Sequence, residues 1–243
     1  MRVDAENQNS SFLNLIKNPD QIVFLDANFF IPPDRSDLPI DQKIRPYCFA
    51  DYKGNWLDPL LAEFSGISIH ESVFEELVEA RVKEYVDSKN KANPSRLRIF
   101  FDSELTENEK SVMRTVIDRL AIHSQYDPDR NNAKDRGEIL SLSYMSVKGF
   151  LFFAAKDELP IRLINDADKL DTGLDDMGII QMYELIYYLH KTDKYDGKAL
   201  RILYKYLYFL TSREKKQNPE WGTFIQKMDD LYSELIQAHM SKE

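Results

Sequence analysis

The sequence predicts an α/β fold, a three-layer α/β/α sandwich built around a central parallel sheet, with a helical extension at its C-terminal end. Short apolar segments that suit buried strands, such as QIVFLDA at 21–27 and FLFFAA at 150–155, alternate with segments of helical periodicity. This alternation is typical of a parallel sheet that is covered by helices on both faces. We therefore predict a sheet-containing domain over residues 1–190 and a helical extension packed on it over residues 191–243.

The elements after the first strand follow from local patterns. Residues 32–66 hold half of the prolines and predict a loop with one short helix near 58–64. GISIHESVFEELVEARVKEYVDSK, at 66–89, predicts a short strand followed by one amphipathic helix. RLRIFF, at 96–101, predicts another strand.

Two helices in the middle of the chain carry boundary signals. The helix predicted over 105–124 begins with a capping box, in which Thr106 and Glu109 satisfy each other's backbone N–H groups. The helix predicted before the strand at 150–155 ends at Gly149. The remaining predicted elements are a short strand or turn with a helix over 171–191, and helices over 198–240.

The composition limits the classes of protein and site. A net charge of −9 over 243 residues argues against nucleic-acid binding through bulk charge. No apolar run reaches the roughly 18 residues of a membrane helix, and the polar start of the chain is unlike a targeting peptide. Cys48 is the single cysteine, so an internal disulfide is impossible and a cytoplasmic location is expected. This cysteine and the four histidines match no standard zinc-ligand spacing.

Acidic side chains occur where predicted strands end and where predicted helices begin. In open parallel sheets, ligands bind at the edge that the carboxyl ends of the strands form. Carboxylates gathered there repel one another unless a cation with a preference for oxygen offsets their charge. The sequence therefore predicts a Mg²⁺ or Mn²⁺ site of the kind that hydrolyses phosphodiesters. Its candidate ligands are Asp26, Glu76, Asp135, Glu138 and Asp157.

Each of these acids also has a purely structural explanation. Asp135 and Glu138 match a capping pair at a helix start, and Asp157 matches a turn that follows a strand. Glu76 can equally be a solvated surface residue of its helix. The order of the acids along the chain, rather than any one of them, favours a joint site.

The first two motifs resemble those of the PIN-domain nuclease family, and the resemblance spans about 22–189. In FLDAN, an apolar strand leads into Asp26, and Asn28 follows two residues later. In SVFEEL, Glu76 matches the acid at the start of the family's second helix.

The last two motifs continue the resemblance in the same order. KDRGEILSLSYM is similar to the DxGE signature of one branch of the family, and its third acid is either Asp135 or Glu138. The GE match favours Glu138, with Asp135 as a co-ligand or as a residue that supports the ligands. Asp157 in FFAAKDELPIR matches the fourth acid, and Arg162 matches an arginine that follows it in relatives. The chain departs from the pattern at Ala155, where relatives often have a hydroxyl residue.

The resemblance implies an α/β/α sandwich and a Mg²⁺- or Mn²⁺-dependent ribonuclease, often the toxin of a toxin–antitoxin pair and frequently a dimer. Carried onto this chain, it predicts that Asp26, Glu76, Glu138 and Asp157 hold one or two ions, which activate water for attack on an RNA phosphate. Asn28 is expected to orient a carboxylate or to contact the substrate.

The segment 191–216 has a different character, with eight basic and three acidic residues. Lys198, Arg201 and Lys205 are predicted to hold the RNA backbone, while the tyrosines among them stack on bases. Alternatively, the segment is an ordinary amphipathic helix, a dimer contact or the docking site of an inhibitory protein.

Two other classes of protein compete with the nuclease. Haloacid-dehalogenase-type phosphatases share the Asp after an apolar strand, but their second Asp is replaced here by Asn28, which cannot transfer a proton. The other alternative is a PIN-like domain that serves only in binding or scaffolding, and Ala155 agrees with it. The presence of acids at all four family positions favours the enzyme.

Overall fold

A computed structural model describes residues 2–38 and 47–240 of the chain. Within those ranges it contains a five-stranded sheet in which the third strand forms one edge and the fifth strand the other. The strands are β1 (Val23–Leu25), β2 (Ile67–His70), β3 (Arg98–Phe100), β4 (Phe152–Ala155) and β5 (Gly178–Gln181), in the spatial order β3-β2-β1-β4-β5.

Helices occupy the connections between these strands and most of the C-terminal part of the chain. Numbered in chain order, the α-helices are α1 (Ser10–Lys17), α2 (Phe49–Tyr52), α3 (Asp58–Glu63), α4 (Glu71–Glu76), α5 (Ala80–Lys91), α6 (Glu107–Ala121), α7 (Arg136–Lys148), α8 (Glu158–Asn165), α9 (Ala167–Leu170), α10 (Met182–Lys191), α11 (Gly197–Tyr208), α12 (Ser212–Gln217) and α13 (Trp221–Met240). A π-helical turn, Lys53–Leu57, joins α2 to α3, and 3₁₀ turns follow β1 and β3 at Ala27–Phe29 and Asp102–Glu104.

The central strand β1 runs parallel to both of its neighbours. Val23 pairs with Ile67 of β2 on one side and with Phe152 of β4 on the other, and β2 pairs in parallel with β3. Because these strands share one direction, the residues that follow them emerge at the same edge of the sheet. The predicted α/β class and parallel sheet are therefore confirmed.

Two helix boundaries predicted from the sequence are also confirmed. Thr106 and Glu109 form a reciprocal capping box at the start of α6. Gly149 ends α7 in the left-handed conformation, with a φ of 67°, which a glycine adopts without the steric cost that a side chain would impose.

The single amphipathic helix predicted within 66–89 is wrong. The helix α4 ends at Glu76, and α5 begins only at Ala80. Leu77 leaves the helical conformation and buries its side chain, which is 1% exposed, whereas Val78 is 92% exposed. Neither glycine nor proline marks the interruption, so tertiary packing rather than a local signal determines it.

The helix predicted near 58–64 is too short. The chain is helical throughout 49–63, and the side chains of Tyr52 and Trp56 are fully buried. Burial of these two large rings gives the segment a packing energy that its sparse periodicity does not reveal. Residues 39–46 of the predicted loop lie outside the described residues.

Contacts between residues divide the chain into two compact units. The first unit consists of Met1–Pro19, Ile31–Phe64 and Gln181–Glu243, and the second consists of Asp20–Phe30 and Ser65–Ile180. The boundary predicted between residues 190 and 191 falls inside the first unit. Across the described ranges, no helix combines the length and the apolar character that crossing a membrane requires.

The second unit contains the core that anchors the sheet edge. Phe24 of β1 is fully buried, and its ring stacks on that of Phe100 with a centroid separation of 5.2 Å. Tyr144 of α7 packs against the same two rings, at 6.3 and 5.8 Å. Side chains that pack this closely hold the end of β1 in one position.

The first unit is helical, and α10 packs there against α3, α11 and α13. Tyr204 of α11 stacks on Phe224 of α13 with a centroid separation of 4.3 Å. Arg35 donates to the carbonyls of Tyr206 and Leu207 at 3.0 and 2.8 Å, which satisfies the C-terminal end of α11.

Glu184, in the first turn of α10, is a buried carboxylate of the first unit and is 2% exposed. Its Oε2 accepts hydrogen bonds from the Gln181 backbone N–H at 2.7 Å and from Asn9 Nδ2 at 2.9 Å. Burial raises the pKa of Glu184 from 4.5 to about 8, although both hydrogen bonds oppose the shift. The protonated carboxyl therefore contributes stability that is fully present below pH 4.5 and is lost as the pH rises toward 8.

The substitution Glu184→Gln is expected to remove this loss, because a glutamine amide oxygen accepts the same hydrogen bonds without a charge. Between about pH 5 and pH 8, the free energy of unfolding of the wild type should fall relative to the variant by up to about 1.4 kcal/mol per pH unit. Urea denaturation over this range measures the difference. The exposed Glu234→Gln serves as the control, and parallel curves for wild type and Glu184→Gln would contradict the assignment.

Candidate metal centre

Asp26 and Asp157 meet at the carboxyl edge of the sheet through a shared amide. Asp26 directly follows β1, and its backbone N–H donates to the Ala154 carbonyl of β4 at 3.1 Å. Asp157 lies just beyond the end of β4. Asn28 Nδ2 donates to Asp26 Oδ2 at 2.9 Å and to Asp157 Oδ2 at 2.6 Å. The amide thus orients both carboxylates, which is one of the two roles predicted for Asn28.

Glu76 and Gly137 form a second close contact in this region. The Gly137 backbone N–H, in the first turn of α7, donates to Glu76 Oε1 at 2.7 Å. A Cβ atom at position 137 would lie between 2.6 and 2.8 Å from the carboxylate atoms of Glu76, so any side chain there would displace the carboxylate. The glycine of the KDRGE motif therefore lets a carboxylate approach the positive end of the α7 dipole.

Three of the predicted acids converge. Asp26, Glu138 and Asp157 each offer a carboxylate oxygen, and these oxygens lie within 4.8 Å of one another. Asp26 is 1% exposed, whereas Glu138 and Asp157 are half-buried. A single ion with bonds of about 2.0 to 2.6 Å to oxygen can be held by such a set. Glu76 lies beside this set, with its carboxylate held by the N–H of Gly137.

The electrostatics of the site reflect crowding of like charges. Burial raises the pKa of Asp26 to about 6, against the Asn28 hydrogen bond, and the charge of Asp157 adds to the rise. Burial, and then the charge of Asp26, raise the pKa of Glu138 to about 8. The pKa of Glu76 is raised as well, chiefly by burial. Such carboxylates favour either a bound proton or a bound cation.

Asp135 occupies the start of α7, but its carboxylate is bound to other partners. Its Oδ2 accepts from the Gln125 backbone N–H at 2.8 Å, and its Oδ1 lies 3.3 Å from Lys134 Nζ. Asp135 has a positive φ of 58° and makes no side-chain hydrogen bond to the N-terminus of α7, so the predicted capping pair with Glu138 is wrong. Glu138 is the acid that joins Asp26 and Asp157.

Arg162, which was predicted to bind substrate, makes a structural contact. It lies in α8, and its Nη2 donates to the His123 carbonyl at 2.8 Å, beyond the end of α6. Its guanidinium group therefore satisfies a backbone carbonyl of the turn that follows α6.

The basic helix α11 belongs to the first unit and is amphipathic. Lys198 and Arg201 are exposed, and Lys205 forms an ion pair with Glu220 at 3.6 Å. The tyrosines of this helix are buried: Tyr204, Tyr206 and Tyr208. Their rings pack inside the first unit, so the amphipathic-helix alternative accounts for them better than stacking on bases.

The structure also brings together a set of ligating residues that the sequence analysis did not predict. His70 ends β2, Glu71 begins α4, and Asp102 follows β3, and their potential ligand atoms lie within 4.8 Å of one another. The rule that identified Asp26, a polar residue directly after an apolar strand, would have identified this set as well.

Comparisons with protein-family models, curated proteins and solved structures give no significant match to this chain. Membership of the PIN-domain family therefore stays a prediction.

The close contact between Gly137 and Glu76 predicts the effect of Gly137→Ala. The added methyl group should displace the Glu76 carboxylate and cost about 1 to 3 kcal/mol of unfolding free energy, because a partly buried charge loses its N–H donor. In a Glu76→Ala background the same change should be neutral or stabilising by up to about 1 kcal/mol, since alanine favours helix. Chemical denaturation of the two single variants and the double variant measures this coupling.

Gly222→Ala is the matched control, because Gly222 lies in the first turn of α13 and a Cβ there meets nothing within 4 Å. It should be neutral or stabilising. Equal costs of Gly137→Ala in the presence and absence of the Glu76 carboxylate would contradict the proposed contact.

Proposed function

We propose that the chain is a Mg²⁺- or Mn²⁺-dependent ribonuclease with a PIN-like α/β/α fold. The observation that carries this proposal is the convergence of Asp26, Glu138 and Asp157, with oxygens within 4.8 Å of one another. Three carboxylates from separate segments repel one another where they meet. A site of this kind is expected to serve an ion, and phosphodiester hydrolysis is a reaction that such ions support.

The donor set fits an ion of this class. All three donors are carboxylate oxygens, which Mg²⁺ and Mn²⁺ prefer, and a neutral amide already orients two of them. Asp26 is closed off from solvent, while the half-buried Glu138 and Asp157 leave access for water and substrate. When bound, the ion would supply positive charge to the scissile phosphate and activate the attacking water.

The protein's own neutral donors hold the carboxylates of the site in position. Asn28 fixes the separation of Asp26 and Asp157 by donating to both carboxylates. Gly137 fixes Glu76 beside them through its N–H. We assign Glu76 to the orientation of water or of a second ion, because its position next to the three acids suits that role.

For the substrate we propose RNA. Lys198, Arg201 and Lys205 are our candidates for contacts with its phosphate backbone, because cations bind single-stranded nucleic acid without any need for the buried tyrosines. From the family resemblance, we further propose a cytoplasmic endoribonuclease of the toxin–antitoxin type, with a protein inhibitor and a second copy of the chain as partners.

Asn28 distinguishes this proposal from the phosphatase alternative. Its amide donates hydrogen bonds to two carboxylates, and an amide N–H is far too weakly acidic to protonate a leaving group. Hydrolysis of p-nitrophenyl phosphate that depends on Asp26 alone would support the phosphatase instead.

Asp157→Asn is expected to reduce Mn²⁺-dependent cleavage of single-stranded RNA by more than about 100-fold, because it removes a charged ligand while keeping the shape of the side chain. The control is Glu158→Gln, which changes the adjacent exposed acid and should cleave normally. Gel analysis of a labelled oligonucleotide measures both. Full activity of Asp157→Asn would contradict the proposed site.

Millimolar Mn²⁺ is expected to raise the melting temperature of the wild type. When the free ion is at 100 times its Kd, binding to the folded state adds about 2.7 kcal/mol to the free energy of unfolding. Asp26→Asn should melt higher than the wild type in EDTA, since it removes a buried charge, and should lose the response to Mn²⁺. Differential scanning calorimetry measures both effects. A wild type that shows no response to Mn²⁺ would favour the scaffolding alternative.

A further inference from the structure

A second cluster of ligating side chains lies at the carboxyl ends of β2 and β3. It consists of His70, Glu71 and Asp102, whose potential ligand atoms lie within 4.8 Å of one another. It shares no residue with the three carboxylates assigned above to Mg²⁺ or Mn²⁺. It also differs in chemistry, because one of its donors is an imidazole nitrogen.

The surroundings of His70 match those of a metal-binding histidine. The side chain is fully buried, with Nε2 3.1 Å from Asp102 Oδ1 and Nδ1 2.8 Å from Ser72 Oγ. Ligating histidines generally donate a hydrogen bond from the ring nitrogen that does not bind the metal. With its proton on Nδ1, His70 donates to the Ser72 hydroxyl, and the lone pair of Nε2 is directed toward the two carboxylates.

The other tautomer gives a purely structural explanation. With the proton on Nε2, His70 donates to Asp102, and Nδ1 accepts from the Ser72 backbone N–H at 3.3 Å, at the start of α4. That backbone contact is long for a hydrogen bond, whereas the 2.8 Å contact with the hydroxyl suits either tautomer. The imidazole of His70 can therefore adopt the tautomer that metal binding needs, with its proton on Nδ1.

The Glu71 carboxylate is held in position by a hydrogen bond, and the Asp102 carboxylate is accessible to solvent. Glu71 Oε1 accepts from the Asp102 backbone N–H at 2.7 Å, which fixes the Glu71 carboxylate at the cluster. The Asp102 side chain is 45% exposed. An ion can therefore enter from solvent on the Asp102 side and keep water molecules among its ligands.

Tyr144 supplies an independent observation. Its side chain is fully buried, and its ring centroid lies 5.0 Å from that of His70. Its hydroxyl makes no hydrogen bond of good geometry to any described residue. A buried hydroxyl without a hydrogen bond of good geometry costs free energy, and water brought in by an ion at the neighbouring cluster would lower this cost.

We propose that His70, Glu71 and Asp102 form a second metal site, which takes Zn²⁺ or Co²⁺ in preference to Mg²⁺. One imidazole and two carboxylates suit a borderline transition ion, whereas Mg²⁺ prefers oxygen ligands alone. The ion links the ends of β2 and β3 to the N-terminus of α4, the helix that ends at Glu76. Its role is to fix that helix, and it does not depend on the nuclease proposal.

Co²⁺ titration of the 243-residue chain, stripped of metal with a chelator, tests the site through the visible absorption of the bound ion. The Asp26→Asn variant should keep one Co²⁺ site, and Zn²⁺ should displace the ion while millimolar Mg²⁺ does not. Asp102→Asn and Glu71→Gln should each weaken this binding at least tenfold. Glu104→Gln, which alters a nearby exposed acid, is the matched control and should bind normally.

The imidazole tautomer of His70 provides a second readout that needs no variant at the site. Long-range ¹H–¹⁵N NMR spectra should show the proton on Nδ1 after Zn²⁺ is added. Unchanged ring signals of His70 at saturating Zn²⁺ would overturn the proposal, as would Co²⁺ binding that Asp26→Asn abolishes or that Asp102→Asn leaves intact. A wild-type chain that binds Co²⁺ at His70, Glu71 and Asp102 but does not cleave RNA would contradict the nuclease proposal and leave this one intact.

Discussion

Repulsion among carboxylates at one edge of a parallel sheet is the constraint on which the second unit depends. Parallel pairing brings Asp26 and Asp157 to the same edge, and α7 adds Glu138. The amide of Asn28 holds Asp26 and Asp157, and the N–H of Gly137 holds the neighbouring Glu76, while the pKa values of Asp26 and Glu138 remain raised. Neutral donors orient carboxylates but leave their charge for a cation to offset.

The parts that could be predicted from the sequence are those that local patterns determine. Asp26 and Asp157 were identifiable because each closely follows a short apolar strand, and parallel topology then requires them to emerge at one edge. The start of α6 was identifiable because the capping box of Thr106 and Glu109 lies within four consecutive residues. The class of the fold followed from the alternation of such elements.

The parts that could not be predicted depend on contacts between distant segments. The sequence did not separate Asp135 from Glu138, because the backbone conformation of Asp135 and its bond to Gln125 form only in the folded chain. The cluster at His70 was missed although Glu71 and Asp102 follow strands as Asp26 does, because zinc-ligand spacing along one segment cannot reveal donors that come from two strands. The helix break at Leu77 likewise has no marker in the sequence.

If Asp26, Glu138 and Asp157 bind one hard dication together, anomalous scattering from crystals soaked in Mn²⁺ should locate that ion among their oxygens. The expected result is an anomalous peak with bonds of about 2.0 to 2.6 Å to oxygens of all three carboxylates. A crystal that shows no peak among them at saturating Mn²⁺, or shows each carboxylate in contact with its own Lys or Arg instead, would contradict it.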